Sequence, residues 1–211
     1  MRKIPLRLIL LLSVLGGFGI PQVVSAQTDV ALSLYGAFNG TTNGNGTVQS
    51  PSNSAGAMVE LRHISNPLVG YEATYSFSGD NQRYTSTVAT GTCAIGVTPP
   101  CPSTASVAAH AHEVSGDWVA SAHIANFRPF ALAGVGLLFN QPTGGQSSTN
   151  SATKPVFLYG AGLDWGVLPH LGLRFQYRGN LYKAPNLSRL FTSTNAFTHT
   201  SEPMIGAYFR F

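Results

Sequence analysis

The sequence predicts an all-β fold, an eight-stranded antiparallel up-and-down β-barrel, and three observations carry that prediction. Stretches of about ten residues alternate apolar and polar side chains with a period of two. The connections between them are long and short by turns. No run after residue 26 of the 211 stays apolar for the roughly 20 residues that a helix needs to cross a bilayer.

The first element is an export signal. Arg2, Lys3 and Arg7 precede and open an apolar run from Leu8 to Ile20, and Val24-Ser25-Ala26 follows it, which is the order of charged, hydrophobic and small-residue regions in a secretory signal peptide. Cleavage is expected after Ala26, giving a signal peptide at 1–26 and an outer-membrane β-barrel domain at 27–211. The remainder holds nine basic and eight acidic residues, so the basic excess belongs largely to the signal. No clustered basic face remains to support nucleic-acid binding.

Strands are expected at 29–40, 56–65, 68–79, 112–124, 128–140, 155–167, 171–183 and 199–211. In the first, Leu32, Leu34 and Phe38 oppose Ser33, Tyr35 and Asn39. The second sets Val59 and Leu61 against Glu60 and Arg62, the third Tyr71, Ala73, Tyr75 and Phe77 against Glu72, Thr74 and Ser76, and the fourth Trp118 against Asp117. Further on, Phe157, Tyr159, Ala161, Leu163, Trp165 and Val167 oppose Gly160, Gly162, Asp164 and Gly166. Leu171, Leu173, Phe175, Tyr177 and Leu181 oppose Gly172, Arg174, Gln176, Arg178 and Asn180. In the last strand Ile205, Ala207, Phe209 and Phe211 oppose Glu202, Met204, Gly206, Tyr208 and Arg210.

Long connections are expected at 41–55, 80–111, 141–154 and 184–198, and short ones at 66–67, 125–127 and 168–170. Four long loops on one side and three tight turns on the other is the asymmetry of outer-membrane barrels, and it places both termini in the periplasm. A soluble sandwich or lipocalin-like barrel also alternates, with its polar face outward. Here the charged positions share their face with glycines while the other face is dense in large apolar residues, so that face is assigned to membrane lipid. Phe38, Phe77, Phe139, Trp165 and Phe209 lie near strand ends and suit interfacial girdles.

On this register the interior receives Glu60, Glu72, Asp117, Asp164 and Glu202 together with Arg62, Arg128, Arg174, Arg178 and Arg210. Charges in a narrow, poorly hydrated space must be paired or hydrogen-bonded, and guanidinium groups bind carboxylates through two parallel bonds. Eight strands leave an interior just wide enough for side chains. A lumen salt-bridge network is therefore expected, with a narrow ion-conducting pore as the alternative.

Cys93 and Cys101 lie close together in an exported chain, so one local disulfide is expected. His110-Ala111-His112 puts two imidazoles on one side of an extended segment, but nothing completes a metal shell, and a solvated loop pair is expected; no metal or cofactor is assigned. His63 sits near a strand end, His170 in a turn. His63-Ile64-Ser65-Asn66 matches the His-x-Ser-Asn motif of outer-membrane lipid A deacylases, but it lies early in the chain beside a short turn, and Glu72 should point into the lumen. The partner that orients a catalytic base is then missing, as is a distinctive cluster for a palmitoyltransferase. No catalytic residues are assigned.

The ending Ile205-Gly206-Ala207-Tyr208-Phe209-Arg210-Phe211 resembles the C-terminal assembly signal of outer-membrane proteins. Arg128-Pro129-Phe130-Ala131-Leu132-Ala133-Gly134-Val135-Gly136, and Gly160-Ala161-Gly162-Leu163-Asp164-Trp165-Gly166 running on to 171–178, are similar to the OmpA-like and OmpX-like small barrel superfamily. The resemblance covers 27–211. It implies periplasmic chaperone transit and insertion by the barrel-assembly machinery, with Ile205, Ala207, Phe209 and Phe211 read as the signal. No peptidoglycan-binding domain is expected after Phe211. Members of such a fold differ in activity; the expectation is a non-enzymatic surface protein of structural or adhesion type, displaying four extracellular loops to an external ligand. The alternatives are a lipid A-modifying enzyme and the pore.

Overall fold

The computed structural model describes residues 26–66, 68–87, 103–144 and 148–211. Among the described residues ten strands are formed: β1 (Gln27–Asn39), β2 (Thr42–Gly44), β3 (Thr47–Pro51), β4 (Ser54–Ile64), β5 (Val69–Ser86), β6 (Thr104–Ser121), β7 (Phe127–Pro142), β8 (Ala152–Gly166), β9 (Leu171–Lys183) and β10 (Phe197–Arg210). Eight of them, all but β2 and β3, make the barrel. Each pairs antiparallel with its neighbour in sequence, β1 pairs β10, and the β5–β6 ladder completes the ring. Closure leaves no barrel edge unpaired.

Because successive side chains in a strand point to opposite faces, the period-two pattern becomes an outside and an inside. Leu32, Leu34, Trp118, Val135, Ile205 and Phe209 are exposed on the outside, Trp118 at 70%. The positions between them, including Ser33, Glu60, Glu72, Asp117, Arg174 and Glu202, are buried inside. A water-soluble protein buries its large apolar residues and exposes its charges; this barrel does the reverse over a continuous belt. The belt has a visible upper edge. Beyond Phe77 the outward positions of β5 are Gly79, Asn81, Arg83 and Thr85, and on β6 the matching positions before Val114 are Ser106, Ala108, His110 and His112.

The short turns are held locally. Asn66 Oδ1 accepts the N–H of Leu68 and of Val69, at 3.1 and 2.9 Å, the side-chain turn that asparagine makes readily. Ile124 and Phe127 exchange both backbone bonds at 2.9 Å around Ala125-Asn126, with Ala125 at a φ of 52°. Inside the barrel, rings lie on glycines of the neighbouring strand: a Cβ added at Gly172 or Gly56 would sit 2.4 Å from the ring of Tyr208 or Tyr35. The β1–β10 ladder is interrupted between Tyr35↔Met204 and Phe38↔Ser201, where Pro203 has no N–H to give.

Three expectations are corrected. The 41–55 connection contains the β2–β3 hairpin, turned by Asn45 and Gly46 with φ of 51° and 75°, the conformation a two-residue Asn-Gly hairpin loop requires. The third and fourth barrel strands run on to Ser86 and back from Thr104, so 80–86 and 104–111 are strand and not loop. β6 ends at Ser121, not 124. The export segment 1–25 and both cysteines lie outside the described residues.

Candidate functional site

The lumen concentrates the ionisable groups. Asp29, Glu60, Glu72, Glu113, Asp117, Asp164 and Glu202, with Arg62, Arg128, Arg174 and Arg178, are all buried there. They fall into two groups along the barrel axis. Nearer the short turns, Asp164 of β8 accepts bonds from three arginines: Arg174 Nε at 2.8 Å, Arg128 Nη2 at 2.6 Å and Arg62 Nη1 at 3.3 Å. Asp29 of β1 takes a second bond from Arg174 at 2.8 Å and pairs with Arg128. Glu72 Oε2 receives Arg62 Nε at 2.6 Å, and Arg174 Nη1 stands 3.6 Å from Glu60 and 3.5 Å from Glu72. Ser33 Oγ donates to Glu60 at 2.8 Å, and the Arg62 guanidinium lies 3.9 Å from the centre of the Phe130 ring. Six strands are thus tied by shared charge.

Nearer the long loops a single arginine, Arg178, pairs with one acid. Arg178 Nη2 donates to Glu113 at 3.1 Å and to Ser115 at 3.2 Å, and Nη1 reaches Thr74 at 3.3 Å. Asn180 Nδ2 bridges Glu113 and Glu202, at 3.1 and 3.0 Å. Ser115 Oγ donates to Asp117 at 3.0 Å.

The sequence places Asp117, Glu202 and Arg210 in one ion-pair network, and the geometry differs. Asp117 and Glu202 are buried but bonded to Ser115 and Asn180 and not to an arginine. Arg210 stands half-buried at the short-turn mouth, where its guanidinium donates to the Tyr208 hydroxyl at 3.3 Å and faces that ring at 5.3 Å. Its side chain has no carboxylate partner among the described residues, because the last inward position of β10 opens to solvent. Two acids were missed, Asp29 and Glu113. Both share the parity of assigned inward neighbours, Ser33 and Asp117, so the alternation already held the signal.

The histidines sit on or near the outer surface. His110 and His112 do not lie in a loop: they project outward from β6 at the upper edge of the belt, on either side of Phe77, with ring centres 5.2 and 5.0 Å from it. The Tyr75 hydroxyl meets His112 Nδ1 at 2.9 Å, and that of Tyr159 meets His199 Nε2 at 2.9 Å. His63 Nδ1 is engaged by the Thr28 hydroxyl at 2.9 Å and its ring packs 5.1 Å from Tyr71. Glu72 is turned into the lumen, so among the described residues no carboxylate orients His63 toward Ser65. No group of three or more metal-binding side chains occurs among the described residues.

Above the belt the long connections fold together. Gln49 Nε2 of β3 donates to Gln82 Oε1 at 2.7 Å and to the Pro185 carbonyl at 2.8 Å. Thr42 and Thr194 hydroxyls meet at 3.1 Å. Tyr84, Val107, Ala109, Leu187 and Phe191 form an apolar cluster, and the Tyr84 hydroxyl accepts the Leu187 N–H at 2.8 Å. Burial pushes that phenol up to about 12, so it stays neutral at ordinary pH. Tyr84→Phe should leave the buried Leu187 N–H unpaired, at a local cost of about 1–3 kcal/mol. Limited proteolysis should then cut within 184–196 faster than in the wild type; an unchanged rate would show that other contacts hold the segment.

No family model and no curated protein matches the chain. Solved structures do. The outer membrane protein OprG from Pseudomonas aeruginosa superposes with a TM-score of 0.61 at 10% identity, over 92% of this chain and 99% of that one. Neisserial surface protein A gives 0.53 at 16% identity, over 89% and 100%. Ail, the attachment invasion locus protein of Yersinia pestis, gives 0.50 at 16% identity, also over 89% and 100%. At these identities the likeness is one of fold: the chain has the fold of the small OmpA- and OmpX-like outer-membrane β-barrels.

Proposed function

We propose that this chain is a bacterial outer-membrane barrel that performs no chemistry and acts as a rigid scaffold, presenting the cap of strands and loops above its belt to the cell's surroundings. The observation that carries the reading is the inversion of the barrel, apolar without and charged within, because a surface of that kind is stable only against hydrocarbon. The short-turn end and both termini then face the periplasm, and the long-loop end faces outward. Inserted by the barrel-assembly machinery, the protein has membrane lipid as its permanent partner.

The cap supports display over transport. Its segments are fixed to one another by buried side chains, and binding residues characteristically sit on loops positioned by a rigid scaffold. The inner half of the lumen is packed with ion-paired side chains, which counts against the pore reading. His63 lacks the arrangement that hydrolysis of lipid A would use.

The test is surface binding. Cells carrying the wild-type barrel, and cells in which 88–102 is replaced by a short glycine-serine turn, are compared for adhesion to host cells and extracellular matrix, with barrel insertion checked in both. The replacement is expected to bring adhesion down to that of cells lacking the protein. Equal adhesion by both would remove 88–102 from the role.

A further inference from the structure

The outer half of the lumen contains a cavity of about 30 Å³, whose walls include Tyr35, Glu113, Asn140, Asn180, Tyr182 and Glu202. Four buried polar atoms on residues of its wall have no protein partner among the described residues: Glu202 Oε2, Asn180 Oδ1, Asn140 Nδ2 and Ser54 Oγ. Glu202, Asn180 and Asn140 are each more than nine-tenths buried. Three of the four are oxygens able to accept a hydrogen bond or ligate a cation.

The acids around the cavity have fewer ion pairs than those of the inner half of the lumen. There, Asp29, Glu60, Glu72 and Asp164 meet Arg62, Arg128 and Arg174 at salt-bridge distance. Three acids line the cavity, Asp80, Glu113 and Glu202, and among the described residues only Glu113 has an ion pair, to Arg178 at 3.1 Å. Glu113 and Glu202 are drawn together by the single Asn180 amide nitrogen that donates to both. Two carboxylates so placed in a poorly hydrated space repel, and a positive charge beside them is the direct way to offset it.

We infer that this cavity is a binding site for one small hard cation of the calcium class, held by Glu202 Oε2 and the Asn180 carbonyl oxygen, with the Glu113 carboxylate beside them adding negative charge. Oxygen-only donors select hard ions. A single water needs roughly 10–15 Å³ of such space, so the cavity has room for an ion with about one retained water. Among the described residues no three carboxylate, imidazole or thiolate groups come close enough together to form a full metal shell. The affinity is therefore weak, on the order of 0.1–1 mM, the range of extracellular calcium modules. Ser76, Ser78 and Asp80 of β5 also line the wall, and the same strand continues outward to Gln82 and Tyr84 in the cap. Occupancy links the cap to the rest of the barrel.

Tyr35 and Tyr182 in the wall make the site testable by sensitised emission. The full chain folded in detergent is titrated with terbium ion under tyrosine excitation, and calcium is then added as competitor. The wild type is expected to give emission that calcium abolishes, and Glu202→Gln to lower it about tenfold, since affinity follows ligand charge. Asn180→Asp, which adds a charge at the same place, serves if Glu202→Gln does not fold, and it is expected to raise the emission at a given terbium concentration. Absence of emission from the wild type would overturn the site, leaving a cavity that holds water or a shared proton only. Emission that neither substitution alters would overturn it as well, by placing the ion elsewhere.

Discussion

Arg174→Leu is expected to destabilise the folded barrel by about 3–5 kcal/mol, the cost of removing one partner from a buried ion-pair cluster. Arg174 is fully buried; its guanidinium bonds Asp164 and Asp29 at 2.8 Å each and lies within 3.6 Å of Glu60 and Glu72. Without it, four carboxylates share Arg62 and Arg128. The loss comes from the charges left behind more than from the bonds removed, since buried carboxylates have no water to turn to. Arg174→Lys should recover only part of it, because a point charge replaces a planar fork that serves two acids at once. Arg210→Leu is the control. Arg210 is half-buried and bonded to Tyr208, so its loss should cost less than about 1 kcal/mol. Urea unfolding in lipid vesicles, followed by the unboiled gel band, measures all three; equal destabilisation by Arg174→Leu and Arg210→Leu would show that the inner cluster is not what holds the lumen.

The second large effect lies on the opposite face. Leu34 is 65% exposed on the outside of β1, between Ala57 and Ile205 of the neighbouring strands, halfway along the belt. Leu34→Arg is expected to cost about 2–4 kcal/mol in a bilayer, the penalty for a cation near the midplane of a membrane barrel. In a water-soluble barrel the same change would be neutral, as exposed positions generally are. Asn81→Arg, outward on β5 above the belt, should be neutral in either case. Folding yields and unfolding midpoints in vesicles separate the two: a neutral Leu34→Arg would move the belt away from lipid.

Much of this architecture was legible because period-two alternation reports one thing directly, which side of a strand a residue takes. Arg62, Glu72, Asp164 and Arg174 were placed inside on that signal alone, and Leu34, Trp118 and Phe209 outside. What alternation does not report is where a strand stops being a membrane strand and continues as a polar one. Asn81, Arg83 and Thr85 face water above the belt, so 79–86 has the composition of a loop and the conformation of a strand. The β2–β3 hairpin was hidden for the same reason, although Asn45-Gly46 carries a specific turn signal. Pairing within the lumen was not legible either. It depends on how high each inward residue sits around a tilted ring, and that height brings Asp29 to Arg174 across 145 positions of sequence while leaving Arg210 at the open mouth.

Cell fractionation combined with gel migration tests the central claim most directly. The protein is expected in the outer-membrane fraction, resisting extraction by carbonate and salt, and running at a different position when unboiled than when boiled, because a closed barrel keeps its fold in detergent until heated. Recovery in the soluble periplasmic fraction, with no difference on boiling, would contradict the account and with it the assignment of the apolar belt to lipid.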